Sequence, residues 1–260
     1  MNRRLPPPFT LVALSEVDST NDEARRLAEQ GAGHGTVVWA AAQTAGRGRR
    51  GRVWQSPPGN LCCSLLLDGG PEAAAAPQLA FVAAVALRDA LAELAPAADF
   101  RLKWPNDVLC RGAKIAGMLL EKAGGLVILG VGVNIRSAPA VAPVAATCLE
   151  RTGSRADAFD LLAVFCAHLL PWYDRWRQDG FAPLRRAWLD RAAGVGGPVA
   201  ARLADDSVME GRFADLDEDG ALILTNEMGR PVRVLAGDVF FRHGDDVMVD
   251  PGQVSDAAGH

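Results

Sequence analysis

The sequence predicts an α+β protein with a small all-β unit at its C-terminal end. Two observations carry this. Up to about residue 194, short apolar runs of strand length alternate with segments of helical periodicity. The glycine-rich run Gly194-Val195-Gly196-Gly197 then ends that pattern, and only short alternating stretches follow, separated by Asp/Gly turns such as Glu218-Asp219-Gly220. After His243 the chain is polar and rich in Gly, Asp and Ala, so residues 244–260 are expected to form a disordered tail. The expected division is therefore 1–194, 195–243 and the tail.

Residues 10–17 read as a first strand. Thr20 and Glu23 stand at capping-box spacing, which starts a helix at Ser19 or Thr20 with Ala24, Leu27 and Ala28 on its apolar face. Residues 36–43 and 61–67 read as buried strands. Pro77 is placed to open a helix reaching about Leu94, because proline is tolerated in a first turn. Residues 100–103, 107–110, 115–121 and 126–134 read as short strands, the last two as a hairpin turning at Gly124-Gly125. Helical periodicity returns at 158–177 and 183–191. The stretches 199–203, 209–216, 221–225 and 231–235 have the spacing of a small antiparallel barrel.

Among the 260 residues, 49% are hydrophobic and 22% charged, the balance of a soluble protein with a real core. A formal net charge of −4 argues against a surface built as a whole for nucleic acid, and no nucleic-acid partner is expected. Cys62, Cys63, Cys110, Cys148 and Cys166 show no CxxC spacing and read as reduced packing residues of a cytoplasmic protein. The four histidines show no metal-site spacing. No apolar stretch reaches the roughly 20 residues of a membrane span, and no signal-peptide pattern opens the chain.

Against this acidic background, Gly46-Arg47-Gly48-Arg49-Arg50-Gly51-Arg52 packs four arginines into seven residues. Like charges repel and glycine loses the most entropy on ordering, so such a loop is costly to hold in one shape. Guanidinium and bare backbone N–H groups bind phosphate well, and a phosphorylated ligand would offset that cost. The expectation is a loop that is mobile when empty and closes over its ligand. Beside it stand Ser19-Thr20-Asn21, Gln43, Lys103-Trp104-Pro105-Asn106-Asp107, the run from Lys114 to Glu121, and Gly130-Val131-Gly132-Val133-Asn134.

GRGRRGRxW, KWPND, KIAGMLLE and GVGVN, in that order, resemble the motifs of the biotin protein ligase family, and the resemblance spans about residues 10 to 242. It implies a mixed-sheet catalytic domain of the biotin/lipoate protein ligase type over 1–194 and an SH3-like β-barrel over 195–243. It also implies ATP-dependent transfer of biotin, with Mg²⁺, to a lysine of a biotin carboxyl carrier protein through biotinyl-5′-AMP. The carrier expected is that of acetyl-CoA carboxylase or a related carboxylase. Some family members carry an N-terminal helix-turn-helix domain. Here Ser19-Thr20-Asn21 comes almost at the start, so the monofunctional type is expected, as a monomer or homodimer.

The same resemblance implies site residues. Ser19, Thr20, Asn21, Gln43, Gly46, Arg47, Arg49, Lys114 and Gly117 would contact biotin. Arg47, Arg49, Arg50, Arg52, Trp54, Lys103, Asn106 and Asn134 would contact ATP or the adenylate. Lys114, Arg49, Lys103 and Asp107 would serve catalysis, Asp107 either as a Mg²⁺ ligand or in orienting the target amine. The chemistry suits these residue types: a ureido ring needs hydroxyls and a side-chain amide, and a carboxylate attacking a phosphate needs fixed cations. Each residue also has a plainer reading, Lys103 and Lys114 as surface lysines, Asn106-Asp107 as a turn, Trp54 as packing. Two rival functions are a lipoate or octanoate ligase or transferase of the same fold, and a non-catalytic adenylate-binding regulator.

Overall fold

The computed structural model describes residues 4–70, 73–140, 145–203, 205–243 and 246–247. Seven strands form one mixed sheet: β1 (Thr10–Leu14), β2 (Thr36–Ala40), β3 (Leu61–Asp68), β4 (Phe100–Lys103), β5 (Asp107–Cys110), β6 (Ala113–Ala123) and β7 (Leu126–Val133). Their order is β1-β2-β3-β7-β6-β5-β4, with β1 and β2 parallel and every other pair antiparallel. The hairpin expected at Gly124-Gly125 joins β6 to β7, where Ala123 pairs with Leu126.

The two faces of this sheet have different covers. On one, Val37, Cys63, Leu65, Leu67, Leu129, Val131 and Val133 join the main core with helices α2 (Leu79–Leu94) and α3 (Ala158–Asp179). On the other, Val38, Leu66 and Ile128 pack with Ala24 and Leu27 of helix α1 (Thr20–Glu29). Because successive side chains alternate in direction, the two sets interleave along β3 and β7. Helix α1 covers only part of its face, and the rest is left to the site. The five cysteines are buried and free of disulfides, and burial pushes the Cys166 thiol up to about 12, in keeping with a packing role.

Two local expectations are corrected. Helix α1 has Ser19 as its N-cap with no side-chain cap bond, and Thr20 turns its hydroxyl to Gln43 instead of closing a capping box with Glu23. A capping box is formed by Asp157 and Asp160 at the start of α3. Pro77 belongs to a 3₁₀ turn, Ala73–Gln78, and α2 itself begins at Leu79.

The short strands after Gly194 form a second sheet, antiparallel throughout: β8 (Pro198–Arg202), β9 (Val208–Leu216), β10 (Leu222–Thr225), β11 (Pro231–Val234), β12 (Asp238–His243) and β13 (Asp246–Val247), in the order β11-β10-β9-β8-β12-β13. Strand β12, absent from the strands read in the sequence, returns to pair with β8. The tail expected over 244–260 lies outside the described residues, apart from the two of β13.

The second sheet is seated by its β9–β10 turn. Trp104 Nε1 donates to Gly220 O at 3.0 Å, Gln78 Nε2 to Glu218 O at 3.3 Å, and Arg185 of helix α4 (Phe181–Arg191) to Leu216 O at 2.6 Å. Phe81, Phe181 and Trp188 make edge-on contacts beneath it. Gly220 has φ +86, and a Cβ there would sit 2.6 Å from the Phe81 ring. Both the backbone and the space demand glycine. Gly220→Ala should lower the free energy of unfolding by about 2 kcal/mol, read as a shifted urea midpoint with unchanged slope. An unshifted midpoint would mean that this turn does not seat the second sheet.

Candidate active site

The site begins with missing side chains. Gly132 of β7 lies between Cys62 of β3 and Gly117 of β6, and Gly130 lies between Ser64 and Leu119 in the next row of the same face. Other segments fill the space. The Asn21 carboxamide lies where a Gly130 Cβ would stand, and the Trp54 indole lies over Gly132. A Gly117 Cβ would be 3.2 Å from Lys114 Nζ and 3.4 Å from Asp107 Oδ1. Above this strip is a cavity of about 320 Å³, at the small end of the usual range for ligand pockets.

One end of the cavity is neutral and polar. The Thr20 backbone N–H donates to Gln43 Oε1 at 2.8 Å, the Thr20 hydroxyl reaches the same oxygen at 3.0 Å, and Gln43 Nε2 donates to Ser56 Oγ at 2.8 Å. Ser64 Oγ lies 2.8 Å from Thr20 Oγ1 and 2.6 Å from Asn21 Oδ1, while Asn21 Nδ2 donates to Glu121 Oε2 at 3.0 Å. Ser19 is buried against the cavity. These bonds fix amide and hydroxyl groups in one orientation, so the pocket discriminates by hydrogen-bond geometry.

The other end is charged. Lys114 Nζ stands 2.7 Å from Asp107 Oδ1 and 5.6 Å from the centre of the Trp54 ring. The ion pair lacks hydrogen-bond alignment, so Asp107 Oδ1 is a buried oxygen with no donor, and Trp54 Nε1 is likewise a buried donor with no acceptor. Asn106 is tied to β6, its Nδ2 donating to Met118 O at 2.5 Å. Asn134 is buried and donates to Thr147 O at 3.1 Å, which holds the returning chain beside Lys114. Lys103 is only 8% exposed, beneath the Phe240 and Phe241 rings of β12 at 5.5 and 5.8 Å.

The arginine loop is a small ribbon. Arg47 bridges to Val53, Gly48 N donates to Arg52 O at 2.7 Å, and the Arg49–Gly51 turn carries Arg50 at φ +55. Arg47 makes a bidentate pair with Asp22 at 2.5 and 2.6 Å, which holds the Asp22 carboxyl below the usual carboxylate range. Arg49 and Arg52 run to Asp238 of β12, at 3.3 and 2.9 Å.

Ser19, Thr20, Asn21, Gln43, Arg47, Arg49, Arg52, Trp54, Lys103, Asn106, Asp107, Lys114, Gly117 and Asn134 all line the cavity. Gly46 does not, and instead backs Gln43 and Trp54: its carbonyl accepts from Trp54 N at 2.9 Å. Arg50 turns away to Leu203 O, one residue past the end of β8, at 2.7 Å. Sequence reasoning missed Ser64, Ser56, Asp238 and Phe240. Ser64 carried a weak signal as the one polar residue before Asp68 in an apolar strand; Asp238 and Phe240 carried none.

The profile of the Biotin/lipoate A/B protein ligase family matches residues 14–136, and that of the Biotin protein ligase C terminal domain matches residues 195–242. A biotin–[acetyl-CoA-carboxylase] ligase of Paracoccus denitrificans is 45% identical over 88% of this chain and 99% of its own length. The enzyme of the same name from Mycobacterium tuberculosis is 35% identical over 88% of each chain. The solved biotin protein ligase of Aquifex aeolicus, in complex with biotin and ATP, superposes with a TM-score of 0.78 at 29% identity, over 90% of this chain and 98% of that one.

Burial lowers the Lys103 pKa, with nearby Asp107 partly opposing the shift. A lysine depressed in the fold costs stability while protonated, and the cost is relieved only as pH rises from that depressed value toward the ordinary lysine range. Lys103→Met should therefore raise the unfolding free energy at pH 7 by about 1 kcal/mol, measured by urea titration. The gain should shrink as the pH is raised toward 10. A variant less stable than the parent at pH 7 would show that the ammonium is well paired where it stands.

Proposed function

The chain belongs to the biotin/lipoate A/B protein ligase family, and from that premise we propose that this cavity carries out both halves of protein biotinylation. It is a ligase: the biotin carboxylate attacks the α-phosphate of ATP, pyrophosphate leaves, and biotinyl-5′-AMP forms. A lysine amine of a carrier domain then attacks the acyl carbonyl and AMP leaves. The observation that carries this reading is the union in one cavity of the neutral pocket around Thr20, Asn21 and Gln43, backed by Ser64, with the cationic end around Arg49, Lys103 and Lys114.

The ureido ring offers one carbonyl acceptor and two N–H donors, and fits a pocket of hydroxyls and a side-chain amide. At the cationic end Lys114, held by Asp107 and set over the Trp54 ring, can screen the carboxylate from the phosphate it attacks. Arg49, Arg52 and Lys103 supply the charge for the phosphates. Trp54 and the arginine ribbon roof the cavity and exclude the water that would hydrolyse a mixed anhydride. No covalent enzyme intermediate is required.

Asp107 Oδ1, a buried carboxylate oxygen whose near partner is the Lys114 ammonium and which accepts no aligned hydrogen bond, has the chemistry of a hard-cation ligand. Among the described residues no three His, Cys, Asp or Glu side chains converge, and Asp107 is the residue that would hold Mg²⁺ at this end of the cavity. Bound there, the ion would neutralise phosphate charge. The carrier proposed is that of acetyl-CoA carboxylase, as in the names of the two curated relatives.

The test is pyrophosphate release from Mg·ATP with biotin, octanoate or lipoate as the only added acid. Biotin alone should support it; release with octanoate or lipoate instead would overturn the assignment of the neutral pocket. Ser64→Ala should raise KM for biotin about tenfold and leave KM for ATP unchanged, since it strips a buried hydrogen-bond partner from Thr20 and Asn21. Equal changes in both constants would detach Ser64 from the biotin pocket.

A further inference from the structure

Asp238 stands at the start of β12, on the second sheet, yet its carboxylate lines the cavity and meets three arginines of the loop. Both of its oxygens accept from Arg52 Nη2, at 3.0 and 2.9 Å. Arg49 Nη1 lies 3.3 Å and Arg50 Nη1 3.8 Å away. One carboxylate thus gathers three guanidinium groups that would otherwise repel one another. Its side chain is only 17% exposed, so these pairs are screened less than surface ones.

The geometry of Arg49 gives this cluster a direction. Its Nη1 is held by three acceptors, Asp238 Oδ1, Gly237 O at 3.2 Å and Asn106 Oδ1 at 3.3 Å. Its Nε and Nη2 have no hydrogen-bond partner among the described residues, and the side chain lines the cavity. One edge of the guanidinium is clamped and the other is presented, the arrangement that lets arginine take a phosphate by two parallel bonds.

The position of the clamp is set outside the loop. Asp238 is paired in register with Arg202 of β8, and a Cβ at the preceding Gly237 would be 2.6 Å from Arg202 O. Two residues on, Phe240 packs over Lys103. Arg50, whose φ of +55 swings it away from the cavity, ties the ribbon to Leu203 O at the end of the same sheet.

We infer that Asp238 is a positioning residue for the nucleotide: from the second sheet it orders the arginine loop and aims the open edge of Arg49 at the phosphates of ATP. The inference rests on the ligase reading above. Neutralising the carboxylate leaves the bonds of the neutral pocket in place, because those among Thr20, Gln43, Ser56 and Ser64 involve none of the three arginines. The work of gathering the arginines then falls on the nucleotide.

The experiment compares wild type, Asp238→Asn and Asp238→Glu by KM for ATP, KM for biotin, melting temperature, and the rate of trypsin cleavage after Arg49, Arg50 or Arg52 without substrates. For Asp238→Asn, KM for ATP should rise about tenfold, the scale of one lost charge-assisted hydrogen bond, with KM for biotin little changed. Tryptic cleavage in the loop should speed up at an unchanged melting temperature, and Asp238→Glu should recover most of both effects. An unchanged KM for ATP overturns the inference. So does a parallel rise in both KM values with a lowered melting temperature, which would mark a packing role. Failure of the ligase reading would appear in the wild type, as no biotin-dependent pyrophosphate release; failure of this inference would appear only in the variants.

Discussion

Gly117 and Gly132 face each other across β6 and β7, and Gly130 follows on the same face two residues along. Everything else in the cavity is built on that bare strip. Asn21 can lie against β7 only because residue 130 has no side chain, and Trp54 can cover residue 132 for the same reason. Lys114 and Asp107 converge over Gly117. The intervening Val131 and Val133 point to the opposite face and join the core with α2 and α3. A two-residue alternation therefore lets one strand serve as hydrophobic core and as the floor of a polar site.

Charge is managed by pairing each cation of the site with a carboxylate or a ring from a different segment. Arg47 is neutralised by Asp22 of α1, Arg49 and Arg52 by Asp238 of β12, Lys114 by Asp107 at the start of β5, and Lys103 is covered by the Phe240 ring. The acidic chain as a whole carries a locally basic cavity in this way. The arrangement is not optimised for stability. A lysine is held where burial opposes its charge, and two buried polar atoms, Asp107 Oδ1 and Trp54 Nε1, lack hydrogen-bond partners at the cavity wall. Such departures concentrate where a ligand has to be bound.

The second sheet takes part in this through geometry that is settled far from the cavity. Its β9–β10 turn is wedged against Trp104, Phe81 and Phe181, and that seating carries β12 over the cationic end of the cavity. Trp104 stands between two residues of the cavity wall, Lys103 and Pro105, so one short motif both lines the site and anchors the unit that closes it. Among the described residues no helix is long and apolar enough to cross a membrane, and the apolar surface is spent on these internal contacts.

Much was legible in the sequence because it is a matter of local chemistry. Short continuous apolar runs announced β3 and β7, Gly124-Gly125 announced the neighbouring hairpin, and the arginine loop, KWPND and the glycine strand end announced the site. Most of the residues so named do line one cavity. Thr20 was misread because capping-box spacing is a local signal, and a distant amide, Gln43, offered its hydroxyl a better partner. Arg50 could not be told from its neighbours in the loop, since only a backbone turn at φ +55 directs it to the second sheet. Asp238 and Phe240 were invisible, and Ser64 nearly so, for a related reason: their roles come from strand register and sheet docking, which bring segments as distant in the chain as Thr20 and Asp238 to one pocket. The sequence alone determined which chemical groups this protein possesses and the strands and helices that carry most of them. Which groups meet, and which edge of Arg49 is left open to the cavity, was decided by tertiary packing, because only the folded chain sets distances between segments that share no local pattern.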